Sequence, residues 1–109
     1  MKQFTTPKQT AKLIELGFEP STRIPFEVGN DELGRTFSIG ELIEMLPKKV
    51  TNRAGRTAIL QMTCYQGVWR VKYAGAPDMW LTMNEELIDA LYDTLVEVKT
   101  NAKEYGYEL

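Results

Sequence analysis

The spacing of apolar residues changes along the chain from a helical period near the N-terminus to a strand period in the middle, and back again. Thr6 and Gln9 have the spacing of a capping box, and Pro7 follows the cap at the first helical position. The apolar residues that follow, as far as Gly17, predict a first helix over residues 7–16.

A second capping box pairs Ser38 with Glu41. It predicts a short helix that must end at Pro47, because proline breaks the helical hydrogen-bond pattern. Between the two helices, residues 19–36 are rich in prolines, glycines and other turn-forming residues, which predicts an irregular connection. Alternating apolar residues within this connection indicate only a short edge strand over residues 24–28.

From Thr57 the apolar residues alternate with a period of two, and Gln66-Gly67 supplies a two-residue turn. This pattern predicts a β-hairpin with one apolar face and one polar face. The apolar face would carry Ala58, Leu60, Met62, Cys64, Trp69, Val71 and Tyr73. The polar face would present Arg70 and Lys72 to solvent, and a third short strand is predicted over residues 79–82.

The longest helical pattern predicts a last helix over residues 84–104, with Thr82 or Asn84 as its cap. Its core-facing residues would be Leu87, Leu91, Leu95, Val98 and Ala102. Its opposite side would carry the carboxylates Glu85, Asp89, Asp93 and Glu97. Such a stripe is typical of a solvated helix face, the alternatives being a dock for a basic partner or a weak cation site.

These elements predict an α+β fold, in which a three-stranded antiparallel β-meander is packed with three helices in the order α-α-β-β-β-α. A chain of 109 residues can bury one hydrophobic core, so we expect a single globular domain over residues 1–109. The N-terminus has no apolar signal segment, and no apolar run reaches eighteen residues. These features predict a cytoplasmic protein with no membrane partner.

The residue types present exclude several common catalytic arrangements. The chain has no histidine, which excludes imidazole bases, Ser-His-Asp triads and the usual zinc sites. Its single cysteine, Cys64, excludes a CxxC pair and is expected to be a small buried apolar residue. No glycine-rich phosphate-binding motif occurs. The sequence therefore disfavours an enzyme and predicts no cofactor or metal, although carboxylate or lysine chemistry stays open.

Charge is unevenly distributed along the chain. Residues 1–44 carry a net charge of −2, residues 45–77 of +6 and residues 78–109 of −6, which gives the net charge of −2. The cations of the middle segment are Lys48, Lys49, Arg53, Arg56, Arg70 and Lys72. These six residues are candidates for binding an anionic partner, the alternative for the first four being a solvated loop.

Trp80 is a seventh candidate binding residue. If Met79 and Leu81 face the core, alternation along a strand places Trp80 outward, and an exposed tryptophan is a common anchor of protein interfaces. The alternative is that Trp80 covers the edge of the sheet.

A non-enzymatic protein-binding or adaptor module agrees best with the small size, mixed surface and missing catalytic apparatus. The alternative is a nucleic-acid-binding accessory protein that uses the basic segment 48–72, which has aromatic residues nearby. An acidic pI near 5.2 opposes this alternative. Trp69 and Tyr73 also share a face with Val71, which is more typical of core residues. A homodimer that pairs the basic segment with the carboxylate stripe is a third arrangement.

Three stretches of the chain resemble a known group of sequences: FTTPKQTAKLIELGF, FSIGELIEMLP and ELIDALYDTLVEVK. With the Trp-containing hairpin between them, they resemble short uncharacterised proteins encoded in the genomes and mobile elements of gut Bacteroidales. The resemblance covers most of the chain in the same order and implies a compact α+β domain. None of the three stretches is a catalytic motif, so the resemblance implies no activity, cofactor or site residue.

Overall fold

The computed structural model describes residues 2–20, 22–23, 35–52, 54–75, 79–101 and 107–108. Within these residues the chain forms, in order, α1 (Pro7–Glu15), β1 (Thr22–Arg23), β2 (Arg35–Thr36), α2 (Ile39–Met45), β3 (Lys49–Asn52), β4 (Thr57–Tyr65), β5 (Val68–Ala74), β6 (Met79–Asn84), α3 (Leu87–Asn101) and β7 (Tyr107–Glu108). The main sheet is antiparallel with the order β6-β5-β4-β3, and β7 pairs with the far side of β3. Among the described strands, the short strands β1 and β2 pair only with each other.

The predicted α+β class with three helices is confirmed, but the predicted three-stranded meander is wrong. A further main strand, β3, lies in the segment interpreted as a basic loop, and it pairs with the start of β4. Val50 is the only apolar residue of β3 and lies fully buried against Ala58 and Tyr73. One apolar residue cannot produce an alternating pattern, so this segment carries no strand signal in the sequence. The strand predicted over residues 24–28 lies outside the described residues.

Both predicted capping boxes are present and start their helices at the expected residues. At α1 the backbone N–H of Gln9 donates to Thr6 Oγ1 at 3.1 Å, and the N–H of Thr6 donates to Gln9 Oε1 at 2.9 Å. At α2 Ser38 and Glu41 exchange the same two bonds, each at 3.2 Å. Each pair satisfies two backbone donors that a helix N-terminus leaves without intrahelical partners.

The last helix starts later than predicted, because β6 continues through Asn84. The Asn84 Oδ1 accepts the backbone N–H of Glu86 at 2.9 Å and closes the turn that leads into α3. Thr82 has a different role, since its hydroxyl donates to the Ala90 carbonyl at 3.0 Å and ties β6 to α3. Ala102, placed in the predicted apolar stripe, lies outside the described residues.

The core consists of two groups of buried residues between the helices and the inner face of the sheet. The larger group comprises Leu13, Phe37, Leu42, Leu46, Val71, Leu87, Ile88, Ala90, Leu91 and Leu95. The smaller group comprises Val50, Ala58, Tyr73 and Val98. Leu60 packs against both groups, so a single side chain of β4 joins them. The four described residues of the predicted α3 stripe all belong to this core.

Three buried threonine hydroxyls join the N-terminal segment, α1 and β2. The Oγ1 atoms of Thr5, Thr10 and Thr36 lie 2.7, 2.9 and 3.0 Å apart in a closed triangle. Thr10 also donates to the Thr6 carbonyl at 2.8 Å. Within the described part of the chain, every buried side-chain nitrogen or oxygen has a hydrogen-bond partner. The triangle therefore holds polar groups in the interior without leaving one unsatisfied.

The β4–β5 hairpin has the predicted register, with seven facing pairs from Ile59↔Ala74 to Tyr65↔Val68. Its turn residues Gln66 and Gly67 have φ angles of 51° and 78°, as a type I′ turn requires. Cys64 is exposed, so the prediction of a buried cysteine is wrong. The reason is that burial along the inner side of β4 falls from Ala58 towards the turn, and the helices cover only the first part of the strand.

No helix among the described residues is both long enough and apolar enough to cross a lipid bilayer.

Candidate functional site

The side of the main sheet that faces away from the helices forms the candidate site, which we call the outer face. Residues that lie opposite each other in antiparallel strands share a face, so the register assigns its members directly. In β3 to β6 they are Lys49, Thr51, Thr57, Ile59, Gln61, Thr63, Tyr65, Val68, Arg70, Lys72, Ala74, Leu81 and Met83.

Three cations lie on the outer face. Lys49 of β3 is opposite Ile59, Lys72 of β5 is opposite Gln61, and Arg70 lies between Thr63 and Met83. The strands β3 and β5 are two spacings apart, about 10 Å, so all three charges fall within one contact area. Among the described side chains of the outer face none is acidic. This side of the sheet therefore presents a positive charge although the whole chain is acidic.

The outer face also exposes large apolar side chains beside these cations. Ile59, Tyr65, Leu81 and Met83 are between 51 and 68% exposed, the four highest values among the large exposed apolar side chains of the described residues. Burying a whole side chain of this kind stabilises a complex by about 1.5–3 kcal/mol, so the exposed half contributes about 1 kcal/mol. Exposed apolar residues gathered on one surface are typical of an interaction site.

The six predicted cations do not all gather on this face. The Lys48 ammonium donates to the Ile43 carbonyl and, at 3.4 Å, to the Leu46 carbonyl, which caps the C-terminal end of α2. Arg56 is exposed in the segment before β4, and Arg53 lies outside the described residues. The structure thus brings together Lys49, Arg70 and Lys72, which form a smaller basic group than the sequence predicted.

Trp80 lies on the inner side of the sheet, so its predicted outward orientation is wrong. Its ring packs edge-on against Tyr73, with the ring centroids 5.5 Å apart. The register of β5 and β6 shifts between Val71 and Tyr73, and Trp80 has a φ of 52°. This β-bulge reverses the alternation, which turns Trp80 inward and Leu81 outward. Alternation alone could not reveal Leu81 and Met83 as surface residues, since a bulge leaves no sequence pattern.

The aromatic residues of β5 face the core, as expected from their alternation with Val71. Tyr73 is fully buried and its hydroxyl donates to the Pro47 carbonyl at 2.7 Å. Burial raises the pKa of Tyr73 above its ordinary value. Trp69 is half-buried against the larger core group. Neither ring is available on the outer face, where Tyr65 is the aromatic side chain that remains.

One member of the predicted carboxylate stripe, Asp89, makes hydrogen bonds to other segments of the chain. Asp89 accepts hydrogen bonds from the Lys2 ammonium at 3.1 Å and from Gln9 Nε2 at 2.8 Å, which fastens the N-terminal segment to α3. Partial burial, and then the neighbouring charges of Asp89 and Glu97, raise the pKa of Asp93. In the described part of the chain, no group of three potential ligands is arranged to hold a metal ion.

Apart from the outer face, a cleft lies between the ends of α2 and α3. It has a volume of about 340 Å³ and mainly apolar walls, lined by Phe18, Glu44, Met45, Leu46, Pro47, Leu95, Val98 and Lys99. The Lys99 ammonium lies 5.6 Å from the centre of the Phe18 ring, a cation–π contact at the wall of the cleft. The charged groups of the lining are one carboxylate, that of Glu44, and one ammonium, that of Lys99.

No protein-family model, curated protein or solved structure matches this chain.

Proposed function

We propose that the protein is a non-enzymatic protein-binding module, and that its outer face docks an acidic partner protein. The observation that carries this proposal is the composition of the face. Exposed Ile59 and Tyr65 lie on the same face as the cations Lys49, Arg70 and Lys72. None of the described side chains of this face is a carboxylate.

The chemistry of the face specifies the partner. Complementary charge steers association and suppresses wrong partners, so the partner surface should carry Asp or Glu side chains. The exposed aliphatic side chains require apolar residues between those carboxylates, because burying apolar surface supplies most of the affinity. A partner that presents both features in one patch would match the mixed character of the outer face.

Nucleic acid is the alternative occupant, supported by three cations and one exposed tyrosine on a sheet. Proteins that bind single strands stack bases on aromatic side chains, yet Trp69 and Tyr73 point into the core. The aliphatic Ile59, Leu81 and Met83 cannot provide this stacking. Their exposure favours protein over nucleic acid.

The proposal can be tested by crosslinking from a defined position on the face. A photoreactive amino acid replaces Gln61, at the centre of the outer face, in cells that naturally express the chain. The matched control places it at Glu97, which is exposed on α3. We expect a discrete adduct with one acidic protein from position 61 only. The variant Lys49→Glu/Arg70→Glu should lose the adduct while keeping its melting temperature, because both side chains are exposed.

Equal adducts from positions 61 and 97, or an adduct that survives the charge reversal, would contradict the proposal. A polarisation assay with a single-stranded oligonucleotide supplies the second arm. We expect no binding at physiological salt. A micromolar or tighter dissociation constant that weakens linearly with the logarithm of salt concentration would assign the face to nucleic acid instead.

A further inference from the structure

The cleft between the ends of α2 and α3 extends from the surface to the hydrophobic core. Its buried lining residues are Leu46 and Leu95 of the larger core group and Val98 of the smaller group. Phe18 and Met45 are partly buried and line the same cleft. Binding sites for small molecules are typically concave and mainly apolar, with volumes of about 300–1,000 Å³. At about 340 Å³ the cleft can hold one small molecule.

The backbone carbonyls at the end of α2 are already used within the chain. The Leu46 carbonyl accepts a hydrogen bond from the Lys48 ammonium at 3.4 Å, and the Pro47 carbonyl accepts one from the Tyr73 hydroxyl at 2.7 Å. A polar group that enters an apolar site without finding a partner loses its hydrogen bonds to water, which opposes binding. The part of a ligand that enters the cleft should therefore be apolar.

The mouth of the cleft carries one charge of each sign, on the two helices that flank it. Glu44 belongs to α2 and Lys99 to α3, and both residues are exposed. The Lys99 ammonium lies 5.6 Å from the centre of the Phe18 ring, so this cation is held beside the apolar wall. Neither Glu44 nor Lys99 forms an ion pair with another described residue. A ligand can therefore use both charges.

We propose that the cleft binds a free α-amino acid with an aromatic side chain. The ring lies against Phe18 and Met45, because aromatic rings pack edge-on against other rings and against methionine sulfur. The ammonium group of the amino acid faces Glu44, and its carboxylate faces Lys99. A neutral molecule leaves both charges of the mouth unused, and a molecule with a single charge meets a like charge on one helix. Charge complementarity thus selects a zwitterion.

This inference does not depend on the proposed function. The helices α2 and α3 pack on the inner face of the sheet, so the cleft lies on the opposite side of the molecule from the outer face. An amino acid in the cleft does not contact Lys49, Arg70 or Lys72, and a partner docked on the outer face leaves the cleft open.

Titration of the purified chain with L-phenylalanine, followed by nuclear magnetic resonance, tests the inference. We expect saturable shifts of the Met45 methyl group and the Lys99 amide, with a dissociation constant of about 1 mM or tighter for a ligand of this size. Three analogues each lack one feature: 2-phenylethylamine lacks the carboxylate, 3-phenylpropanoate lacks the ammonium group and glycine lacks the ring. The first two should bind about 3–5-fold more weakly, as for loss of one exposed ion pair, and glycine should cause no saturable shift.

Two variants assign the charges. Lys99→Met, which keeps an apolar stem beside Phe18, should weaken the binding of L-phenylalanine but not of 2-phenylethylamine, which has no carboxylate. Glu44→Gln should weaken the binding of L-phenylalanine but not of 3-phenylpropanoate, which has no ammonium group. The matched controls Lys8→Met and Glu15→Gln change exposed residues of α1 outside the cleft. We expect both controls to bind L-phenylalanine as the wild-type chain does.

Absence of shifts at Met45 and Lys99 with L-phenylalanine would overturn the inference. Binding of either singly charged analogue as tight as that of L-phenylalanine would also overturn it, and would indicate a ligand with one charge. Equal binding of glycine would overturn it as well, because only the charges of the mouth would then be used. These comparisons use the wild-type chain, so they decide the inference even if a variant fails to fold.

Discussion

At the scale of single residues, Asp93 shows how a carboxylate on a helix surface can oppose folding. Its partial burial, and then Asp89 and Glu97 one turn away on either side, raise its pKa in the folded protein. The folded state thus prefers the protonated form more than the unfolded chain does. The charged form is accordingly destabilising near neutral pH, and this penalty disappears as pH falls through the folded pKa of Asp93.

We predict that Asp93→Asn raises the melting temperature at neutral pH, because it removes a partly desolvated charge and its repulsion by both neighbours. The gain should shrink as pH falls below the raised pKa, where Asp93 itself becomes neutral in the folded protein. Thermal unfolding followed by circular dichroism at several pH values measures this difference. The control Glu85→Gln removes an exposed charge before α3 and should give no such gain. A lower melting temperature of Asp93→Asn at neutral pH would refute the argument.

At the scale of elements, neighbouring residues of β4 differ in burial because they point to opposite faces of the sheet. Leu60 is half-buried and contacts both groups of core residues, while Gln61 is exposed on the outer face. The hairpin register depends on this alternation, since a shift by one residue would move Ala58 and Leu60 to the outer face.

We expect Leu60→Ala to lower the free energy of unfolding by about 2 kcal/mol, at the lower end of the range for buried leucines because Leu60 is only half-buried. Gln61→Ala should change it by less than about 0.5 kcal/mol. Urea denaturation of the two variants makes the comparison within one strand. Equal losses of stability would mean that the strand register is wrong.

At the scale of the whole molecule, the two groups of core residues are connected, because Leu60 contacts both and because β5 and α3 each carry members of both. Trp69 packs against the larger group and Trp80 against the smaller one, so each tryptophan reports on its own group. Small domains whose parts share core contacts usually unfold in one cooperative step.

We predict that the two groups unfold together. In Trp69→Phe the fluorescence of Trp80 should give the same urea midpoint as far-ultraviolet circular dichroism of that variant. In Trp80→Phe the fluorescence of Trp69 should agree with circular dichroism in the same way. A fluorescence midpoint that departs from the circular dichroism midpoint in either variant would show that one group melts separately.

The features that the sequence predicted correctly depend on contacts between near neighbours. The capping boxes at Thr6 and Ser38 need only side chains three residues apart, and the I′ turn at Gln66 needs only two residues. The features it missed depend on distant contacts. Val50 is a core residue because β4 lies beside it, and Trp80 turns inward because a bulge reverses its strand.

The same distinction between local and distant contacts applies to the residues of the candidate site. Alternation placed Arg70 and Lys72 correctly on the outer side of β5, because the hairpin signal is local. It could not show that Lys49 joins them, since this requires β3, nor that Lys48 is directed to the carbonyls at the end of α2. The outer face exists only once β3 and β5 are assembled in one sheet, so local sequence patterns cannot predict it.

The exposed tip of the β4–β5 hairpin also makes the molecule easy to engineer. Met62 and Cys64 on one side of the tip and Tyr65 on the other are exposed, so the Gln66-Gly67 turn is remote from both groups of core residues. Exposed loop tips tolerate insertions best. A short epitope or a fluorescent label could be introduced between Gln66 and Gly67, where it would leave β3, β6 and the helices untouched.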